Sequence, residues 1–550
     1  MISEPAPGFR YRKDPESKQE FLEVPIRGEL LADFPMFNKG TAFTEAERDA
    51  LGLRGILPPR VTTMEQQAAR VMENYARRES DLERYITLIA LLDRNETLFY
   101  RIVLDRLEQL LPILYTPTVG QACQRFGHIY RRPRGIYLTP EDAPQVERIL
   151  GNWPFQEIAV IVVTDGERVL GLGDLGAGGM GISIGKCSLY VAGAGIHPAR
   201  VLPVCLDVGT NNDTLLGDPL YLGKTRKRVR GPEYDALVDA FFAAAQKRFP
   251  RALIQFEDFG MGNAYRLLDK FRGGACCFND DIQGTGAVAR AGVLAALKRS
   301  GAALADQRIV IVGGGSAGMG IARALKDAPL WVVDVHGLLT ADRTDLNDVQ
   351  KPFARTGPGG SLLDVARRVR PTAIIGVCGQ AGIFSREVME AMDGPAPIVF
   401  PLSNPTACAE CTPDQAKAAT NGRAIVATGS PFAGVAQCNN MYIFPGMGLG
   451  IVAAAIRRVT DEMFHAAAET LASMSAGPLY PPLGEIRRIS AAIAFAIAKC
   501  AISQGHAEPC GDEVLRARIG SEMWEPRYIP YRAATGAVTR ETMRKEDRRP

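Results

Sequence analysis

Apolar residues recur at helical spacing through the first quarter of the chain and then regroup into short, nearly continuous runs. In TAFTEAERDALGL, Thr44 and Glu47 stand three apart ahead of apolar positions. That is the spacing of a capping box, in which each side chain satisfies the other's backbone donor. The helical period continues through DLERYITLIALLDRNETLFYRIVLDRLEQLLPILY and stops at Tyr115-Thr116-Pro117, where proline cannot extend a helix. The pattern predicts a helical N-terminal domain over residues 1–132. Its first forty residues, rich in proline and charge, are expected to form an extended arm.

From EIAVIVVTDG onward the pattern changes. Apolar runs at 159–163, 201–206, 253–256 and 275–278 alternate with helical stretches, the mark of an α/β layer with parallel strands. RIVIVGGGSAGMGIARAL then reads as a new strand, a glycine turn and a helix. The runs in LWVVD, PTAIIGVCG, PIVFPLSNP and RAIVATGS follow, each ending in Gly, Asp, Asn or Ser. In an open parallel sheet such ends gather along one edge, where ligands bind. After PGMGLG the chain turns helical again (EIRRISAAIAFAIAK) and is expected to pack back on the middle of the molecule. The expected α/β organisation is a central domain with parallel strands over 133–281 and 455–525, a second α/β domain over 282–454, and a tail over 526–550.

A chain of 550 residues exceeds one ordinary core, in agreement with several domains. A net charge of +3 gives no global attraction to nucleic acid or membrane, and no partner of either kind is expected. The local basic run GKTRKRVRGPEY, with Lys224, Arg226, Lys227, Arg228 and Arg230, reads as a solvated loop. No apolar run approaches the roughly 18 residues of a spanning helix. The opening MISEPAPGFRYRKDPE resembles neither a signal nor a transit peptide. Eleven cysteines, mostly in apolar segments, read as reduced thiols of a cytoplasmic protein. Cys408 and Cys411 form a C-x-x-C with no second pair to complete a metal site.

Candidate chemistry begins with two acidic pairs, Glu257-Asp258 and Asp280-Asp281, which end the apolar runs ALIQF and ACCF. Carboxylates in such surroundings need cations or hydrogen-bond donors, so a bivalent metal held by three of the four competes with simple helix caps after strands. Gly313, Gly315 and Gly318 form G-x-G-x-x-G between a strand and a helix, and the next strand ends at Asp334, 21 residues after Gly313. The glycines permit a tight turn against a pyrophosphate, and a carboxylate at that distance accepts bonds from a ribose diol. Residues 282–454 are therefore expected to form a Rossmann-like NAD-binding domain. The overlapping G-x-S-x-G around Ser316 lacks an evident histidine partner, and Ser316 sits in the phosphate turn. GERVLGLGDLGAGGMGISIGK resembles a Walker A loop but carries Cys187 where Ser or Thr is required. Arg168 and Lys186 flank it, as surface charges or as groups for anion binding and proton transfer.

YTPTVG, RRPRG, TDGERVLGLGDLG, FEDF, CFNDDIQGT, LSNPT and CNNMYIFPG occur in the order and context of the malic enzyme family. The resemblance runs from FNKGTAFT at Phe37 to WEPRYIPY ending at Tyr531 and is nearest to the bacterial NAD-dependent, oxaloacetate-decarboxylating type. It implies oxidation of L-malate with NAD, loss of carbon dioxide and formation of pyruvate. It implies one magnesium or manganese ion on Glu257, Asp258 and Asp281, with Asp280 beside the catalytic base Lys186 and with Tyr115 as the acid. Arg168, Asn404 and Asn440 match residues that hold substrate carboxylates. Gly313, Gly315, Ser316, Ala317, Gly318, Asp334, Asn404 and Asn439 match the cofactor side. A homotetramer, as a dimer of dimers, is implied by resemblance alone.

Two departures stand out. Only six residues separate Phe432 from Asn439, where many relatives carry a longer hairpin. Arg70 and Arg94 match an arginine pair that binds fumarate in some animal relatives, but the position of the accompanying glutamate falls on Thr62. Fumarate activation is therefore not expected. Gln350 stands near the place where NADP-selective relatives carry lysine, with Lys351 beside it. The alternative within the same scaffold is a malolactic enzyme, which releases lactate with no net NADH.

Overall fold

The structure, a computed structural model, describes residues 8–169, 171–475, 479–540 and 542. Residues 1–7 of the expected arm, Leu170 in the glycine-dense run, and 541 and 543–550 of the expected tail lie outside that description.

The helical pattern before Tyr115 forms as expected, opened by a complete Thr44–Glu47 capping box. The long periodic run divides into Asp81–Leu92, Glu96–Asp105 and Leu107–Leu114. Asn95 makes the first break by capping the second helix, its side chain accepting the Leu98 N–H at 2.9 Å.

The arm and the tail are corrected. Arg10–Lys13 and Glu20–Ile26 pair antiparallel, and Tyr531–Val538 adds in parallel to Glu20–Ile26. Leu22 and Val24 turn inward against Ile529 and Tyr531, while Glu23 between them stays half-exposed. Lys39 clasps the seam, donating from Nζ to Glu47 and to the Ile529 carbonyl, both at 2.5 Å. The partner strand lies some five hundred residues away, so no local pattern announces this sheet.

The central sheet is wholly parallel, in the order Ile136–Leu138, Val201–Leu206, Val160–Thr164, Leu253–Glu257, Cys277–Asn279. Four of these five strands are the predicted runs, and their continuous apolar character matches burial on both faces. The second sheet centres on Ile309–Val312, flanked by Leu330–Asp334 on one side and Ala373–Gly376, Ile398–Pro401 and Ile425–Thr428 on the other. Strand order reverses beside Ile309–Val312, which opens a crevice at the strand ends. The C-terminal helix Ile486–Ser503 packs on Phe444–Ala453, which in turn lies on Met180–Ala194 of the central layer.

A histidine sits in the seam between arm, centre and C-terminal segment. The His197 ring stacks on Phe9 at 5.5 Å and meets Trp524 edge-on at 5.4 Å. Its Nδ1 accepts the Ala199 N–H at 3.1 Å, and its Nε2 shares a bond with the Tyr11 hydroxyl at 3.1 Å. Exclusion of water, reinforced by the charge of Arg200, lowers its pKa from 6.5 to about 3. The unfolded chain thus takes a proton near pH 6.5 that the folded chain refuses until about pH 3. The corresponding stability is complete above pH 6.5 and is lost as pH falls toward 3. On the order of 1–2 kcal/mol should go between pH 7 and 5. Thermal unfolding at both pH values should show a shallower slope in His197→Asn, whose amide still caps Ala199. Equal slopes would count against this assignment.

Candidate active site

The register of the central sheet brings both acidic pairs to one edge. Phe256 pairs with Asn279, so Leu253–Glu257 and Cys277–Asn279 end side by side. Glu257 closes its strand, and Asp258 turns the chain with φ of 59°. Asp280 and Asp281 open a π-type turn, Asp280–Gly284, a local geometry that concentrates at functional sites. Residue 284 must be glycine, because a Cβ there would lie 1.9 Å from Asp280 Oδ1. Glu257, Asp258 and Asp281 each contribute an oxygen to a group whose members lie within 4.8 Å of one another. Asp281 Oδ2 also accepts the Asp258 backbone N–H at 2.7 Å.

Carboxylates crowded away from water resist ionisation. Burial pushes the Glu257 carboxyl well above the usual range, with Asp281, Asp280 and Asp258 adding to the effect and Lys186 opposing it. Burial, opposed by Lys186 and reinforced by Asp280, raises Asp281 to about 6. A divalent cation relieves such crowding, and an all-oxygen donor set suits a hard one. The residues present fit magnesium or manganese.

Lys186 reaches this cluster from the helix Met180–Ala194, into which the glycine-dense run feeds. It is completely buried. Its Nζ lies 2.9 Å from Glu257 Oε1, bonds Asp280, and stands 5.3 Å from the centre of the Tyr115 ring. Burial alone would lower its pKa, but Asp280 and Glu257 outweigh burial and hold it well above the ordinary value. Tyr115, at the end of helix Leu107–Leu114, keeps its proton because burial raises its pKa. Asn440 Nδ2 donates to Asp280 Oδ2 at 3.0 Å and to Thr285 Oγ1 at 3.1 Å.

On the other side, the strand Ile309–Val312 leads through the glycine turn into the helix Ser316–Ala324. A Cβ on Gly318 would lie 1.8 Å from the Gly313 carbonyl, which explains the glycine there. Gly315, Ser316 and Ala317 face the same cleft of about 640 Å³ as Tyr115, Arg168, the three clustered carboxylates, Asn404, Asn439 and Asn440. The cleft thus joins an acidic cation cradle, a tyrosine with buried Lys186 behind it, and the N-terminal end of a helix suited to pyrophosphate.

Two family profiles match the chain in sequence: malic enzyme, N-terminal domain, over residues 92–272, and malic enzyme, NAD binding domain, over residues 282–502. The NAD-dependent malic enzyme of Vibrio parahaemolyticus is 47% identical over 93% of this chain and 98% of its own length. That of Shewanella woodyi is 46% identical over the same shares. The chain belongs to the malic enzyme family. Among solved structures, the malic enzyme of Pyrococcus horikoshii superposes with a TM-score of 0.55 at 25% identity, over 76% of this chain and 89% of that one.

Several positions become readable against the malic enzyme pattern. The short segment before Asn439 still delivers both asparagines to the cleft, through an edge strand, Ala436–Gln437, parallel to Ile425–Thr428. Asn439 uses its side-chain oxygen to accept the Met441 N–H at 2.9 Å. Asn404 Oδ1 accepts the Ser430 hydroxyl at 2.8 Å. Asp334 sits at its strand end but is gripped by Arg343 through both oxygens, at 2.9 and 2.8 Å. Gln350 Nε2 donates to the Gly314 carbonyl at 3.0 Å, whereas exposed Lys351 pairs with Asp348 at 2.7 Å. Arg70 and Arg94 line a separate cavity of about 700 Å³ with Arg78 and Arg131. Thr62 is not among the lining residues, but shares a hydroxyl bond at 2.5 Å with Thr41, which is.

One expectation is overturned. Arg228, read as part of a solvated basic loop, is buried. It grips Asp174 through Nε at 3.0 Å and Nη2 at 2.7 Å and donates to the Asp165 carbonyl at 3.0 Å. Asp165 and Asp174 bracket the loop that carries Arg168, so Arg228 braces the side of the cleft on which Arg168 lies. The surrounding lysines and arginines gave no signal that one of the five turns inward.

Proposed function

We propose that this chain oxidises L-malate with NAD and decarboxylates the product, giving pyruvate, carbon dioxide and NADH. The observation that carries the reading is the convergence of the carboxylate cluster, the Lys186–Tyr115 pair and the glycine turn on one cleft. Lys186 as the neutral amine, a form that a bound divalent cation would favour by neutralising Glu257, takes the proton of the malate C2 hydroxyl, and Asp280 holds the ammonium that results. Arg168, with its planar fork, holds the substrate carboxylates together with Asn404 and Asn440. The glycine turn would hold NAD, which would supply the hydride acceptor for C2, and Glu257, Asp258 and Asp281 would hold a divalent cation, which would supply Lewis-acid stabilisation of negative charge on the substrate oxygens. Once the bond from C3 to its carboxylate breaks, Tyr115 delivers a proton to C3. Oxaloacetate offered directly enters at this second half.

The test is product stoichiometry from malate, NAD and Mn²⁺: one NADH and one pyruvate per malate consumed. Lactate with no net NADH would instead identify a malolactic enzyme.

Asp334 sets the cofactor. Its Oδ2 keeps acceptor capacity for a ribose hydroxyl, and its charge disfavours a 2′-phosphate. The kcat/KM ratio should favour NAD over NADP by at least about tenfold, since like-charge contact costs several kcal/mol. Asp334→Ala should shrink that ratio by releasing Arg343 toward a 2′-phosphate. A wild-type preference for NADP would refute the assignment. The assembly proposed is a homotetramer, on family likeness. The proposed location is the cytoplasm, in keeping with eleven cysteines that form no disulfide. Among the described residues no helix is long and apolar enough to cross a membrane.

A further inference from the structure

Glu257 is held from behind by a chain of uncharged groups that leads away from the cleft. Gln255 precedes it by two residues on the same strand, so the two side chains share a face. Gln255 Nε2 donates to Glu257 Oε2 at 2.8 Å, and Gln255 Oε1 accepts a short bond from the Tyr190 hydroxyl. Gln255 and Tyr190 are both fully buried. Tyr190 lies one helical turn beyond Lys186 on Met180–Ala194. A single helix therefore governs both oxygens of Glu257: Oε1 directly through Lys186, and Oε2 through Tyr190 and Gln255.

The Tyr190 ring has little freedom. It packs edge-on against Phe444 with centroids 4.9 Å apart, and a Cβ on Gly448 would lie 2.4 Å from a ring carbon. A phenol so fixed anchors the Gln255 amide by donating to its oxygen while the NH₂ group, the only end a carboxylate can accept from, faces Glu257. Without that donor the amide oxygen loses its anchor, and the NH₂ group is free to swing away from Glu257.

We propose that Tyr190 and Gln255 are positioning residues that hold the Glu257 carboxylate in the orientation needed to capture the cation. The inference rests on the reading that Glu257 is a cation ligand. Partners behind metal ligands commonly account for 10–100-fold in affinity. Tyr190→Phe removes one atom and leaves the ring packing, so it is the gentler variant; Gln255→Met removes the amide at nearly constant volume.

The experiment is titration of the full-length protein with Mn²⁺, following free Mn²⁺ by electron paramagnetic resonance, for wild type, both single variants and the double variant. Each single substitution should weaken Mn²⁺ binding about 10–100-fold. The double variant should bind no more weakly than Gln255→Met, because the two act in series. NAD binding, read by fluorescence, should be unchanged in all four. Single variants within about threefold of wild type would overturn the inference, as would losses that simply add in the double variant. A wild type with no Mn²⁺ site would overturn the cation reading itself, and this inference with it.

Discussion

Asp281→Asn should lose malate turnover by at least about a thousandfold, the consequence of removing several kcal/mol of charge stabilisation. Asp281 supplies one of three clustered oxygens, and the asparagine amide, which can still accept the Asp258 N–H, cannot replace its negative charge. NAD affinity should stay within about tenfold, because the glycine turn follows a different strand, Ile309–Val312, in the other sheet. Steady-state NADH formation and an NAD binding titration measure the two quantities. A variant fully active in the presence of a chelator would remove the metal from the account.

The second large effect divides the labour between base and acid. Lys186→Ala deletes the group placed to accept the hydroxyl proton, so hydride transfer in a single turnover should fall by roughly a hundredfold to ten-thousandfold. It also leaves Asp280 and Glu257 without their shared cation, so the variant's thermal stability needs measuring alongside. Tyr115→Phe keeps the ring beside Lys186 and removes only the phenolic proton. It should mainly slow protonation of carbon 3, read as exchange of pyruvate methyl protons into deuterated water. Malate oxidation should suffer less. The two groups are close enough to share a proton relay, so separation will be incomplete. If Tyr115→Phe blocks hydride transfer more severely than Lys186→Ala, the roles are reversed.

The features legible in the sequence are those whose physical cause is local. Strand ends in the two sheets follow from continuous apolar runs stopped by Asp, Asn, Ser or Gly, and Glu257 and Asp334 fall at their ends. The glycine turn is legible because Gly318 packs on its own neighbour, Gly313. The roles expected of Asn404, Asn439 and Asn440 rest on resemblance alone, since nothing in their spacing requires them to face one cleft, whereas Arg168 is marked as an anion-binding candidate by its place beside the glycine-dense run. What escaped depends on distant partners. The sheet joining Glu20–Ile26 to Tyr531–Val538 needs both ends of the chain at once. The inward turn of Arg228 depends on Asp174 and Asp165, more than fifty residues earlier. Gln255 carries no signal of its own inside an apolar strand, because its bond from Tyr190 depends on a residue of another element.

The central claim is that the chemistry happens where Glu257, Asp258 and Asp281 meet, beneath Lys186 and Tyr115. Anomalous scattering from crystals of the protein soaked in Mn²⁺ tests it most directly. The account predicts one strong peak within coordination distance of an oxygen from each of those three carboxylates, and no peak there in Asp281→Asn. A peak elsewhere in the wild type, with that triangle empty, would contradict it.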